Sequence, residues 1–160
     1  DEKVEEICSS ISTPENTVVA ANYNCPGQLV ISGSIDAINT ACEKMKEAGA
    51  KRALPLPVSG AFHSPLMQPA KDELQAAIES VTFNTPRIPV YQNVDALAHT
   101  DAEEIKKNLV AQLTGAVRWT ATITNMVANG ANDFTECGPG KALQGMIGRI
   151  DKTVAAHGVE

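Results

Sequence analysis

The apolar residues of this chain change their spacing repeatedly, from a helical period to a strand period and back. That alternation confines it to the α/β class. Val4, Ile7, Cys8 and Ile11 lie on one helical face, which predicts a helix over residues 2–11. Residues 18–24 and 29–31 read as strands around Cys25-Pro26-Gly27-Gln28, where proline sets φ and glycine accepts a positive φ, so 18–31 is expected to be a hairpin. Ser34 is placed to cap a helix over 35–48, with Ile35, Ile38, Cys42 and Met45 on its inner face and Gly49 as its stop.

Residues 51–57 read as a third strand, with prolines at 55 and 57 marking an edge. Helix, hairpin, helix and strand together resemble a ferredoxin-like unit without its first strand. From residue 59 the texture changes. Ser64-Pro65 caps and opens a helix to about residue 80, with Leu66, Ala70, Leu74, Ala77 and Ile78 facing inward. A strand is expected over 88–92, a helix from the Thr100 capping box to about 113, and another over 117–129. Residues 133–136 read as a strand, Gly138-Pro139 opens a last helix to about 150, and the tail from Asp151 is expected to fray. This second stretch predicts a parallel, helix-covered sheet. Two units follow, residues 1–60 and 61–160.

Aromatic residues make up only 4% of the chain, so the 43% that is hydrophobic must build its core from Ala, Val, Ile and Leu. The formal net charge is −6 and no basic run exceeds two residues, which argues against nucleic acid as a partner. No apolar stretch approaches the roughly 20 residues of a membrane span, and Asp1, Glu2, Glu5 and Glu6 are the wrong flank for a signal peptide. Four cysteines without a C-x-x-C pair fit free thiols in a cytoplasmic setting. The absence of an initiator Met, with the first residues already helical, is read as the mark of a fragment.

Three histidines are present. His99, in a polar turn, and His157, in the tail, read as solvated surface residues. His63 lies between a strand-like run and a capped helix, where an imidazole can stand at the mouth of an α/β site and move protons, or can simply help close the turn. No histidine spacing suits a metal, no serine lies in a G-x-S-x-G elbow, and Gly138-Pro139-Gly140-Lys141 lacks the length of a phosphate loop.

Five segments in order resemble the malonyl-CoA:acyl-carrier-protein transacylase family. They are residues 22–33, residues 61–67 (Ala61-Phe62-His63-Ser64-Pro65-Leu66-Met67), residues 91–95, Gln112-Leu113 with 117–120, and 136–141. The resemblance implies the C-terminal portion of such an enzyme, with an incomplete ferredoxin-like subdomain followed by the C-terminal part of an α/β-hydrolase-like acyltransferase domain. It implies a two-step transfer of malonyl from coenzyme A to the phosphopantetheine thiol of acyl carrier protein in fatty-acid biosynthesis, with no cofactor beyond those substrates. His63 matches the family's catalytic base and Gln112 the residue whose main-chain carbonyl orients it. Phe62 matches a position that favours malonyl over a branched acyl group, and Asn24 and Gln28 belong to the hairpin facing the cleft. The serine nucleophile, the oxyanion-hole glutamine and the carboxylate-binding arginine of the family have no counterpart in these residues, so the N-terminal half of the same enzyme is the implied partner. Two other readings stay open. One is a non-catalytic ferredoxin-like docking module that meets the carrier protein through Lys44, Lys46, Lys51 and Arg52. The other is a thioesterase or lipase relative.

Overall fold

The computed structural model describes residues 1–159, which form six α-helices and six strands in three two-stranded sheets. Helix α1 (Glu2–Ile11), the antiparallel hairpin β1 (Val18–Cys25) and β2 (Gln28–Gly33), and helix α2 (Ile35–Glu47) share one core. Ile7, Cys8, Val18, Ala37, Ala41, Cys42, Met45 and Ala53 fill it, with Val4, Ile11, Ile31 and Ile38 at its border. Alanine at 37 and 41 lets α2 lie close against the hairpin, because a methyl is the whole side chain there and both residues are fully buried. Gly33 makes the same approach possible at the hairpin's end. A Cβ there would overlap the Thr17 carbonyl oxygen and lie 2.7 Å from Val18 Cα. Gly27 turns the hairpin at φ 76°.

The inner face of α2 differs from the expectation at one position. Ile35 is 80% exposed, and Ala37 and Ala41 take the place next to the hairpin. A helix of 3.6 residues per turn cannot direct residue 35 and residue 37 to the same neighbour, and small side chains win where backbones come close. Residues 51–57 form no strand and pair with nothing among the described residues, as suits prolines at 55 and 57 that donate no ladder hydrogen bond.

After the turn at 59–64, a single 3-10 turn at Pro65–Met67 leads into α3 (Gln68–Glu79). Only Ile78 of its expected apolar face is buried; Leu66 and Ala77 are exposed. The strand expected over 88–92 shrinks to β3 (Val90–Tyr91), paired antiparallel with β4 (Ala98–His99). Helix α4 (Ala102–Gln112) is capped by Asp101, whose side chain accepts from Glu104 N, so the cap sits one residue beyond Thr100. Helix α5 (Trp119–Ala128) packs on β1 and buries Thr122 and Ile123.

The last unit is a β-α-β of parallel strands, β5 (Asp133–Cys137) and β6 (Ala155–Val159), with α6 (Ala142–Ile150) between them. The tail expected to fray is therefore a strand, because five consecutive residues find register with β5, from Asp133↔Ala155 to Cys137↔Val159. Helix α6 starts at Ala142, three residues after Pro139. Parallel pairing occurs in this unit and in one isolated bridge, Asn22↔Val117; the described residues hold no continuous sheet. The architecture is mixed α/β.

Candidate active site

The turn at 61–64 is built to present His63. Ser64 is fully buried; its Oγ donates to Ala61 O at 2.6 Å and accepts from Leu66 N at 3.3 Å, closing the turn and capping the helical segment in one step. His63 is held at φ 59°, one of two non-glycine residues in the left-handed region among the described residues. Such a conformation persists only where its surroundings impose it. The imposed geometry sends the ring to the C-terminal end of α4, where Nδ1 lies 3.0 Å from the main-chain oxygen of Gln112. A carbonyl can only accept, so in the neutral ring Nδ1 carries the proton and Nε2 keeps its lone pair. Among the described residues Nε2 has no hydrogen-bond partner.

Gln112 serves twice. Its side-chain Nε2 donates to Gly115 O at 2.8 Å and to Ala116 O at 3.2 Å, folding the loop after α4 back on itself. Gly115 has to be glycine in that loop, since a Cβ would sit 2.9 Å from Ala111 O and 3.0 Å from Val94 Cγ2. The loop then joins β1: Val117 N donates to Ala21 O and Tyr23 N to Val117 O, both at 2.8 Å. The histidine, the end of α4 and the hairpin are thereby parts of one hydrogen-bonded path.

Phe62, the residue before the histidine, is 51% exposed, its ring lying over Gly60. Asn24 and Gln28 come together elsewhere, in a cleft of about 420 Å³ shared with Lys141, Met146 and Arg149. Arg149 donates from Nη1 to Gln28 Oε1 at 3.1 Å and from Nη2 to Pro26 O at 3.0 Å. The structure thus joins His63 with Gln112 directly and Asn24 with Gln28 through their cleft, and the Val117 bridge to β1 links the two groups.

Of the remaining candidates, His99 departs from expectation. His99 is not solvated: its side chain is 11% exposed, with Nε2 2.8 Å from Asp95 Oδ2 and Nδ1 3.3 Å from Glu104 Oε2. His157 is exposed, as expected of a surface histidine, but lies in β6 and not in a frayed tail, where it contacts Thr135 Oγ1 at 2.9 Å and Asp133 Oδ1 at 3.2 Å. The loop at 138–141 offers no free helix N-terminus for phosphate. Glu136 already accepts the amides of Leu143 and Gln144, each at 3.1 Å, and these hold its carboxyl below the ordinary carboxylate value. Cys8 is buried, which with the nearby Glu5 charge pushes its thiol up to about 11 and leaves it an unreactive core side chain. Sequence reasoning passed over the contacts around Asp95, although carboxylate and histidine four residues apart were a visible sign of a pair.

Residues 2–156 match the acyl transferase domain family. The chain belongs to that family. It is 40% identical over 159 residues to a malonyl CoA-acyl carrier protein transacylase of Staphylococcus aureus, with 99% of this chain and 52% of the relative covered. The enzyme of the same description from Bacillus subtilis is 40% identical over 162 residues, covering 99% and 51%. Among solved structures, an acyl carrier protein S-malonyltransferase from Vibrio cholerae superposes with a TM-score of 0.96 at 46% identity, over 100% of this chain and 52% of that one. A malonyl-transacylase solved in complex with a type II PKS acyl-carrier protein gives 0.94 at 40% identity, over 99% and 51%. The chain spans about half the length of the relatives it matches. No helix among the described residues is long and apolar enough to cross a membrane.

Proposed function

We propose that these residues are the histidine-bearing, C-terminal part of a malonyl-CoA:acyl-carrier-protein transacylase working in fatty-acid biosynthesis in the cytoplasm. In this reading residues 1–60 are a ferredoxin-like subdomain lacking its first strand, and residues 61–160 belong to an α/β-hydrolase-like subdomain completed by the N-terminal half of the enzyme. The observation that carries the reading is the 3.0 Å contact between His63 Nδ1 and the Gln112 carbonyl, which leaves Nε2 free to act as base.

A serine hydroxyl supplied by the N-terminal half gives its proton to His63 Nε2 as its oxygen attacks the malonyl thioester carbonyl. The C–S bond breaks, the coenzyme A thiolate takes the proton from the imidazolium, and malonyl remains on serine as an ester. The phosphopantetheine thiol of the carrier protein then gives its proton to Nε2 and attacks that ester. The imidazolium returns the proton to the serine oxygen, and malonyl leaves on the carrier. Gln112 supplies a carbonyl where an acidic triad member would otherwise stand, fixing the tautomer without adding a charge. Phe62 occupies space beside the base that an α-methyl would need, worth about 1–3 kcal/mol of selectivity. Asn24 and Gln28 line the approach to the site. No cofactor is needed beyond the two thioester substrates.

The test is His63→Ala in the complete enzyme, followed by malonyl transfer from coenzyme A to carrier protein. The expected loss is about 10²–10⁴-fold in kcat, the usual contribution of a general base. Transfer at near wild-type rate would remove His63 from the mechanism.

A further inference from the structure

Helix α4 poses a mechanical question. Its last residue must deliver a carbonyl to His63 at hydrogen-bond distance, yet none of its side chains is fully buried. Apolar contact is non-directional and tolerates sliding; a half-exposed helix held only by such contact has no defined axial position. Directional bonds have to set it.

Those bonds converge on the two turns of α4 that precede Gln112. Asn108 Nδ2 donates to Gln92 Oε1 at 3.1 Å and to Asp95 Oδ2 at 3.0 Å. Gln92, itself 8% exposed, donates from Nε2 to the main-chain oxygen of Ile105 at 2.9 Å. His99 bridges Asp95 in the turn and Glu104 on the helix. Both its ring nitrogens face carboxylate oxygens, an arrangement that suits the doubly protonated imidazolium. Asp95, Glu104 and the neutral Asn108 are the polar side chains that face this ring from the turn and from α4. Asp101 and its bond to Glu104 N complete the set at the helix start.

Asn108 and Gln112 are four residues apart, so they share a face of α4 and are separated by about 6 Å of rise. A helix that rotates or slides at Asn108 moves the Gln112 carbonyl with it. We infer that the Gln92–Asp95–His99–Glu104–Asn108 cluster sets the register of α4, making Asn108 and His99 positioning residues that act on His63 through Gln112. The inference rests on the transacylase reading for its kinetic consequence, and on geometry alone for its effect on the His63 ring.

The test uses the complete enzyme with ¹⁵N-labelled histidine and two variants. Asn108→Leu keeps the size of the side chain and removes its donors, and His99→Gln removes the bridge to Glu104. A third variant, Ile7→Val, lowers stability from the remote hairpin core and serves as control. The expected result is that His63 nitrogen shifts move from the fixed Nδ1–H tautomer toward a mixture in Asn108→Leu and, to a smaller degree, in His99→Gln. The kcat for malonyl transfer falls about tenfold to a hundredfold, the usual consequence of an ångström-scale misplacement, and KM for the thioester stays within about twofold. Ile7→Val changes neither the tautomer nor kcat. Unchanged His63 shifts and kcat in the folded variants would overturn the inference. If Asn108→Leu does not fold, His99→Gln decides by the same readout. The tautomer is measured without substrate, so it reports on the coupling even if His63→Ala shows that transfer bypasses the histidine.

Discussion

Replacing Ser64 by alanine tests whether the turn that presents His63 is held by one buried hydroxyl. Ser64 is fully buried and makes two bonds, to Ala61 O at 2.6 Å and from Leu66 N at 3.3 Å. Loss of the cap costs about 1 kcal/mol. Loss of the bond to the Ala61 carbonyl in this half-buried turn adds about 1 kcal/mol. The sum is about 2 kcal/mol, which for an enzyme about twice the length of this chain lowers Tm by about 3 °C. The functional effect follows from the same bonds. Without them the left-handed conformation of His63 at φ 59° is no longer imposed, the ring leaves Gln112, and kcat falls with stability. The assay is thermal unfolding of the complete enzyme beside malonyl transfer at a temperature where the variant is fully folded. Ser80→Ala is the control, since that hydroxyl donates to Ala77 O at 2.7 Å on an exposed helix end and its removal costs at most about 0.5 kcal/mol. A Ser64→Ala enzyme with the Tm and kcat of wild type would refute the reasoning.

Two further outcomes are expected. Gly33→Ala drives a Cβ into the backbone of Thr17 and Val18, and the hairpin core should lose about 3 kcal/mol or more, read by denaturant unfolding; an unchanged midpoint would mean that the strand end moves freely. Stability should also depend on pH through Asp95 and His99. Burial opposes the charge on both, but the Leu97 amide, His99 and Asn108 outweigh it for Asp95 and set its pKa below the ordinary 3.8. For His99, burial is outweighed by Glu104 and Asp95, and its pKa rises above 6.5. The Asp95 contribution is therefore complete above 3.8 and lost as pH falls through its depressed value. The His99 contribution is complete below 6.5 and lost as pH rises through its raised value. Unfolding free energy measured across this range should fall at both ends, and His99→Gln should remove the alkaline limb; an alkaline limb that persists in the variant would assign it elsewhere.

Local chemistry was readable along much of the chain. The helix over 2–11, the hairpin around Pro26-Gly27, the Ser64-Pro65 start and the strand at 133 all depend on neighbours a few residues away. The misreadings depend on distant partners. Residues 51–57 have strand-like composition and find no strand to pair with, whereas the polar-looking tail becomes β6 because β5 offers it an edge. His99 looked like a surface residue in its turn and is enclosed because α4, nine residues of chain away at Asn108 and nearer at Glu104, folds back over it.

The amino-acid order alone carried the α/β class, the family-like segments, and the selection of His63 over two other histidines, since capping, turn chemistry and periodicity act within a few bonds. It could not supply the meeting of His63 with a carbonyl 49 positions away, the polar cluster that registers α4, or the Val117 bridge that ties both to the hairpin. Those contacts exist only once hydrophobic burial has brought remote segments together. Hydrogen bonds then select, among the compact arrangements that burial permits, the one in which donor and acceptor meet.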